Sequence, residues 1–373
     1  MDNAPQPLLR PLALGDLDLP NRVVMAPMTR ARAANPGLAP TALHARYYAQ
    51  RASAGLIISE GTWVNRQSIG FINVPGIYSD PQAVAWREVT DAVHARGGRI
   101  FSQLGHVGSV SHPDHFDGEP PVAPSAVNPG EQSFTPTGLK GTVTPRALTV
   151  REIGQTVADY RTAALNARRA GFDGVEIHAQ GQHLIPQFLN PRLNRRIDAH
   201  GGSLENRSRL LFEILDAVTS VWGTPRIGVK LSPYWVSGRA FTADEETLVE
   251  YDEITKQFAG ADLAHLHLVD NSPAAATPTP DRDLAPFARY RPLFDGVLIA
   301  NAGFTQATGN AVLDAGLADA VAFGAPYIAN PDLVERFTHG HGHGLAEADR
   351  ATFYTPGPAG YTDYPAAPAA TGP

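Results

Sequence analysis

Eight short runs rich in Val, Ile and Leu punctuate the chain: RVVMAPM (22–28), GLIIS (55–59), RIFSQL (99–104), GVEIH (174–178), RIGVKL (226–231), DLAHLHL (262–268), GVLIA (296–300) and DAVAFG (319–324). Runs without strict alternation of apolar and polar residues suit strands of a parallel sheet covered on both faces. Amphipathic stretches separate them. Thr149 and Glu152 form a T-x-x-E capping box, Ile153, Val157, Tyr160 and Ala164 follow at helical spacing, and Gly171 supplies the stop. Ser203 opens another helix, with Leu204, Leu211, Ile214, Leu215 and Val218 on one stripe. Pro81 begins a third, ended by the Gly97–Gly98 pair. Strands alternating with helices eight times predict an α/β fold, a single-domain (β/α)8 TIM barrel. A doubly wound open sheet is the alternative, but no G-x-G-x-x-G follows any of these strands.

The interval between the third and fourth runs is about twice the others, too long for a plain connection. Its middle, 105–147, reads as a loop excursion after strand 3 over the barrel mouth. Residues 1–365 are expected to form the barrel and 366–373 a short C-terminal tail.

Composition narrows the chemistry. The 373 residues include no cysteine, which removes disulfides, thiolate metal sites and any Cys nucleophile. With 30 Lys+Arg against 37 Asp+Glu the net charge is −7, and no basic run marks a nucleic-acid binder. No apolar stretch approaches the roughly 20 residues that span a bilayer. The N-terminus lacks a basic segment followed by an apolar one, so the expectation is a cytoplasmic protein, monomer or homodimer, acting on a small molecule.

A barrel of this kind carries its active site at the C-terminal strand ends. Glu176 and His178 share one face of their strand, towards the mouth. Lys230 shares a face with Gly228, Gln103 ends strand three, and Thr29 follows strand one. A His, a Lys, a Gln and a Thr on one rim suit a polar planar ligand. Small residues after strands seven and eight, Ala300–Phe304 and Gly324–Ala325, let backbone N–H groups approach an anion. His265 and His267 share a face of strand six and are read as core or as support behind the site. The alternating tract from His339 to Gly344 reads as a surface loop, and no metal is expected.

These residues carry a resemblance. NRVVMAPMTRARA (21–33), YYAQRASAGLIISEGTWV (47–64), PPVAPSAV (120–127), PRALT (145–149), ARRAGFDGVEIH (167–178), QFLNP (187–191), GGSLENRSRL (201–210), FGAPYIANPDL (323–333) and GYTDYP (360–365) resemble blocks of the Old Yellow Enzyme family, the FMN-dependent ene-reductases. The resemblance spans nearly the whole chain. It implies FMN as cofactor and NAD(P)H as reductant, with hydride passing from the flavin to an α,β-unsaturated carbonyl. It also implies that Ala26, Pro27, Met28, Thr29, Gly61, Gln103 and Lys230 line the flavin ring. Ala302, Gly303, Gly324 and Ala325 would lie at its phosphate. His178 matches a donor to the substrate carbonyl, and Tyr354 a residue overhanging the pocket.

The departures are as informative. After strand four the family's H-x-x-H/N-G-Y becomes His178-Ala179-Gln180-Gly181-Gln182-His183. Gly181 therefore stands where a second carbonyl donor is usual, and His183 where a Tyr supplies the proton. His183 is read as proton donor, as hydrogen-bonding the substrate while solvent supplies the proton, or as structural. Gly105 stands in place of a Trp and Phe71 in place of a Tyr, and the opened volume suggests a bulky substrate. Gln180 and Gln182 are candidates to reach the substrate. Lys230 replaces an Arg, and Ala325 replaces the Arg that pairs with the phosphate. The leading expectation is an FMN-dependent ene-reductase. The alternatives are a flavin-dependent desaturase or redox isomerase, and a flavin-poor barrel with a binding or non-redox role.

Overall fold

The apolar runs become eight parallel strands: β1 Val23–Met25, β2 Leu56–Trp63, β3 Ile100–Gly105, β4 Gly174–Ala179, β5 Ile227–Leu231, β6 His265–Val269, β7 Leu298–Asn301 and β8 Ala320–Phe323. They close into a barrel in chain order, with β8 pairing back onto β1. The computed structural model describes residues 6–238, 240–272, 275, 282–339 and 345–366. The connecting helices are α1 Ala42–Ala49, α2 Asp80–His94, α3 Val150–Arg169, α4 Leu204–Trp222, α5 Glu245–Lys256, α6 Ala285–Tyr290, α7 Gln306–Asp314 and α8 Leu333–Thr338.

Local sequence sets the helix ends. The Glu152 amide donates to Thr149 Oγ1 at 3.3 Å, and Glu152 Oε2 accepts the Thr149 amide at 2.8 Å, the expected capping box. Gly171 (φ +82°) and Gly223 (φ +72°) turn the chain out of α3 and α4 in a conformation that favours glycine. Helix α2 starts from Ser79 rather than Pro81, because Pro81 fits the first turn, where its missing N–H costs nothing.

Strand alternation sorts side chains into two layers. Val175 and Ile177 of β4 join the strand–helix layer with Tyr160 and Ala163 of α3 and Leu211 of α4. Val24, Ile58, Phe101 and Ile299 fill the barrel interior, and the hairpin Leu12–Leu14/Leu17–Leu19 packs Leu14 and Leu19 against them. That hairpin plugs one end, so the polar interior residues gather towards the other.

The excursion between β3 and α3 carries a hairpin, Gln132–Thr135 with Gly138–Gly141, and a short parallel pair, Val122–Ala123 with Arg146–Ala147. A C-terminal strap completes the mouth. Arg32 Nη1 donates to Phe353 O at 2.7 Å and Nη2 to Thr352 O at 2.8 Å, while Arg30 Nη2 donates to Gly360 O at 2.7 Å. Tyr361 stacks on Tyr47 with centroids 3.9 Å apart. Those contacts tie the segment after β1 to the GYTDYP block. Residues 340–344 of the His–Gly tract and 367–373 of the expected tail lie outside the described residues. Among the described residues no helix is long and apolar enough to cross a membrane.

Candidate active site

The floor of the mouth is a polar network inside the barrel. Glu176 Oε1 accepts Gln103 Nε2 at 2.8 Å, and its Oε2 meets His265 Nε2 at 2.9 Å and His267 Nδ1 at 2.8 Å. Glu176, His265 and His267 have no solvent exposure. Glu176 shares the face of His178 that periodicity predicts and, two residues earlier on β4, lies deeper in the barrel. Burial alone pushes the Glu176 carboxyl up, yet the contacts with His267 and His265 outweigh it and hold it well below the ordinary carboxylate range. Burial, with Lys230 nearby, brings His267 down to about 4. A Cβ at Gly228 would collide with the His265 imidazole, so only glycine leaves room for that ring.

Lys230 is buried, and its ammonium has no hydrogen-bond partner among the described residues. Burial lowers its pKa to about 8, with Glu176 acting in the opposite direction. Gln103 Oε1 is likewise bare and lies 3.4 Å from where a Cβ of Gly61 would stand. A register shift in β2 between Ile58 and Gly61 sets Gly61 opposite Gln103.

The rim after β4 is built differently. The His178 and His183 rings stack with centroids 3.8 Å apart and planes at 27°. The Gln180 amide lies 3.5 Å from His178 Nδ1, a long contact. Gly181 sits at φ +66° and donates its N–H to Ser232 Oγ at 2.7 Å, under the Trp235 indole. Gln182 Oε1 is buried without a partner, and Gln182 O accepts Gln187 Nε2 at 2.6 Å. Burial brings His183 down to about 4, and burial together with His183 and Lys230 holds His178 well below the usual imidazole value. Both rings are therefore neutral near pH 7.

His106 escaped sequence reasoning, although it directly follows Gly105 at the end of β3. Its Nδ1 accepts the Gly108 amide at 3.0 Å, its carbonyl accepts the Leu184 amide at 2.8 Å, and its buried Nε2 has no partner. Burial, with His183 nearby, lowers it to about 3.

At the opposite side of the mouth, Ala26 donates its amide to Phe323 O at 3.1 Å, and Pro27, Met28 and Thr29 follow it half-buried. Met28 Sδ lies 3.6 Å from where a Cβ of Gly324 would stand, so the ends of β1 and β8 meet. After β7, Ala302 (φ +86°) and Gly303 (φ +66°) hold positive φ in succession, a strained conformation for alanine. Ala325 brings no side-chain donor. Arg282, which sequence reasoning missed, borders this loop: Nη2 donates to Asp270 Oδ2 at 2.9 Å, and Nη1 lies 2.9 Å from a Cβ position at Gly303. Its guanidinium carbon stands 4.2 Å from the Phe304 ring centroid, and its side chain is 5% exposed.

Over the mouth, Phe71 packs against Phe134 of the excursion hairpin at 4.5 Å and against Tyr354 at 4.9 Å. Phe134, also missed, is half-exposed, as is Tyr354. A Cβ at Gly105 would first meet His178, at 3.7 Å, an ordinary van der Waals contact.

A bare acceptor, a bare cation and a floor partly free of side chains fit a planar ring with hydrogen-bonding atoms on one edge. Together with a glycine-lined loop after β7 for an anion, this defines a flavin-binding oxidoreductase barrel. The model of the NADH:flavin oxidoreductase / NADH oxidase family matches residues 7–343. Morphinone reductase in complex with tetrahydroNAD is 44% identical, covering 98% of this chain and 99% of that one with a TM-score of 0.89. The Old Yellow Enzyme homologue from Zymomonas mobilis is 39% identical over 96% and 99% of the two chains, with a TM-score of 0.88. A probable flavin mononucleotide-dependent alkene reductase of Leishmania infantum is 40% identical over 96% of this chain and 97% of its own length. The chain belongs to this family, that of the Old Yellow Enzymes, and is an FMN-dependent oxidoreductase reduced by NAD(P)H.

Proposed function

We propose that this protein reduces the C=C bond of a bulky α,β-unsaturated carbonyl compound. The observation that carries the reading is His178, a neutral imidazole stacked on His183 and set at the rim above a floor that suits a flavin ring. Bound FMN supplies the hydride, taken from NAD(P)H. Gln103, Lys230 and Gly61 hold the ring edge, and Ala26, Pro27, Met28 and Thr29 border it from β1. The backbone of Ala302, Gly303, Gly324 and Ala325 receives the phosphate, with Arg282 in place of the arginine absent at position 325. His178 donates to the substrate carbonyl and withdraws electron density from the alkene. Phe71, Gly105, Gln180, Gly181 and Tyr354 line the substrate space, which the missing side chains at 105 and 181 enlarge.

His183 holds the His178 ring by stacking. At a pKa of about 4 it is uncharged near pH 7 and a poor acid, so solvent supplies the proton to the α-carbon. Gly181 offers no second carbonyl donor, and that favours desaturation or redox isomerisation of a related substrate as the second reading. Anaerobic mixing of the NADPH-reduced protein with 2-cyclohexenone separates the two. Rapid return of the oxidised flavin spectrum supports reduction; flavin that stays reduced supports the second reading. Protein that stays colourless after reconstitution with FMN contradicts both.

A further inference from the structure

We infer that Glu176, which lies below the ligand space, is a positioning residue that fixes the amide of Gln103 and so selects which edge of a ring this barrel accepts. The inference rests on the flavin-binding reading and concerns how this chain's own residues enforce it.

An ionised carboxylate only accepts hydrogen bonds. The Gln103 atom 2.8 Å from Glu176 Oε1 must therefore be the amide nitrogen, and the carbonyl oxygen must point the other way, into the open space over Gly61. Two bare groups then look into the ligand space from the strands on either side of β4: an acceptor, Gln103 Oε1 on β3, and a cationic donor, Lys230 Nζ on β5. The pyrimidine edge of an isoalloxazine offers one N–H donor between carbonyl acceptors, the complement of that pair. Were the amide reversed, its carbonyl would face the carboxylate and its NH2 would face the ring N–H. Both contacts would be repulsive.

Glu176 is itself held by His265 and His267, which meet Oε2 from two levels of β6. A carboxylate between two imidazoles is also a donor set for a divalent cation, and these three residues bring ligating atoms within 4.8 Å of one another. The far ring nitrogens argue against a metal. His265 Nδ1 and His267 Nε2 are buried with no partner. Metal-bound imidazoles would carry N–H groups at those atoms with nothing to accept them. Imidazoles that donate to Glu176 leave only bare lone pairs there, the cheaper arrangement. The network therefore anchors a negative charge under Gln103, and the role of that charge passes through the amide.

The test is a double-mutant cycle read on FMN affinity, by quenching of flavin fluorescence as FMN is titrated into apoprotein. Glu176→Gln is expected to weaken FMN binding about tenfold when Gln103 is present, and less than about twofold in a Gln103→Leu background. An equal loss in both backgrounds would mean that Glu176 acts by supporting the fold, and no loss in either would mean that it does not matter; each overturns the inference. Circular dichroism of the apoproteins checks folding. Should Glu176→Gln fail to fold, Glu176→Asp, which keeps the charge but withdraws it from Gln103, goes through the same cycle with the same outcomes. Wild-type protein that binds no FMN would defeat the flavin reading; FMN binding without coupling would defeat this inference alone.

Discussion

The floor of the mouth and its β4 rim share strand β4 but arrange their polar groups differently. On the floor, Glu176 accepts from Gln103, His265 and His267, Gln103 Oε1 and Lys230 Nζ look into the ligand space, and the groups buried without a partner are two imidazole lone pairs, His265 Nδ1 and His267 Nε2. On the rim, one imidazole is stacked on another, a glycine stands where a donor is usual, and Gln182 Oε1 is buried without a partner. Unsatisfied buried groups cost free energy and need a reason. On the function proposed above, the floor keeps groups that suit a flavin edge, whereas the rim lacks the second side-chain donor for a carbonyl.

Several changes would break or sharpen that contrast. The largest effect is expected at the rim: His178→Ala should lower kcat/KM for enone reduction about a hundredfold, the scale of losing one donor to developing charge, while FMN affinity holds. Steady-state kinetics beside an FMN titration would show it, and a matching loss of FMN would place His178 on the wrong side of the comparison. At the far end of the cofactor, Arg282→Ala should weaken FMN about tenfold, as for a charge-assisted contact, with little effect on riboflavin, which lacks the phosphate. An equal loss for both ligands would remove Arg282 from the phosphate.

The floor also has a pH signature. Burial lowers Lys230 to about 8, so its ammonium is present below that value and lost as pH rises through it. Binding that uses the ammonium should be strongest below about 8 and weaken severalfold above it, and Lys230→Met should abolish the slope. The smallest change is predicted for His183→Phe, which keeps a stacked ring but no proton. Its turnover with enone should stay within about twofold of wild type if solvent is the acid, and a fall of tenfold or more would restore His183 as proton donor.

Much of this architecture was legible in the chain, for definable reasons. Buried parallel strands must be apolar on both faces, so the runs at 174–178 and 226–231 announced β4 and β5 within a residue at each end. Alternation put Glu176 and His178 on one face, and strand order puts Glu176 below His178, but the network that Glu176 makes with Gln103, His265 and His267 depends on strand pairing that alternation does not give. Phe134 and Arg282 stayed hidden because they sit in long connections whose path no periodicity fixes, and His106 because it lies one residue past the end of β3. Gly181 could be recognised as a departure, but not its φ of +66° or its place under Trp235.

That geometry makes position 181 the most direct probe. Asparagine tolerates positive φ better than other residues with a side chain, and a Cβ there would meet the Trp235 ring at 3.7 Å, an ordinary contact. The decisive measurement is the rate at which 2-cyclohexenone reoxidises the reduced flavin, compared between wild type and Gly181→Asn at equal FMN occupancy. A kept floor under a rebuilt rim predicts that wild type reoxidises and that the added donor accelerates it severalfold with FMN affinity unchanged. No acceleration, accompanied by altered FMN affinity, would contradict it.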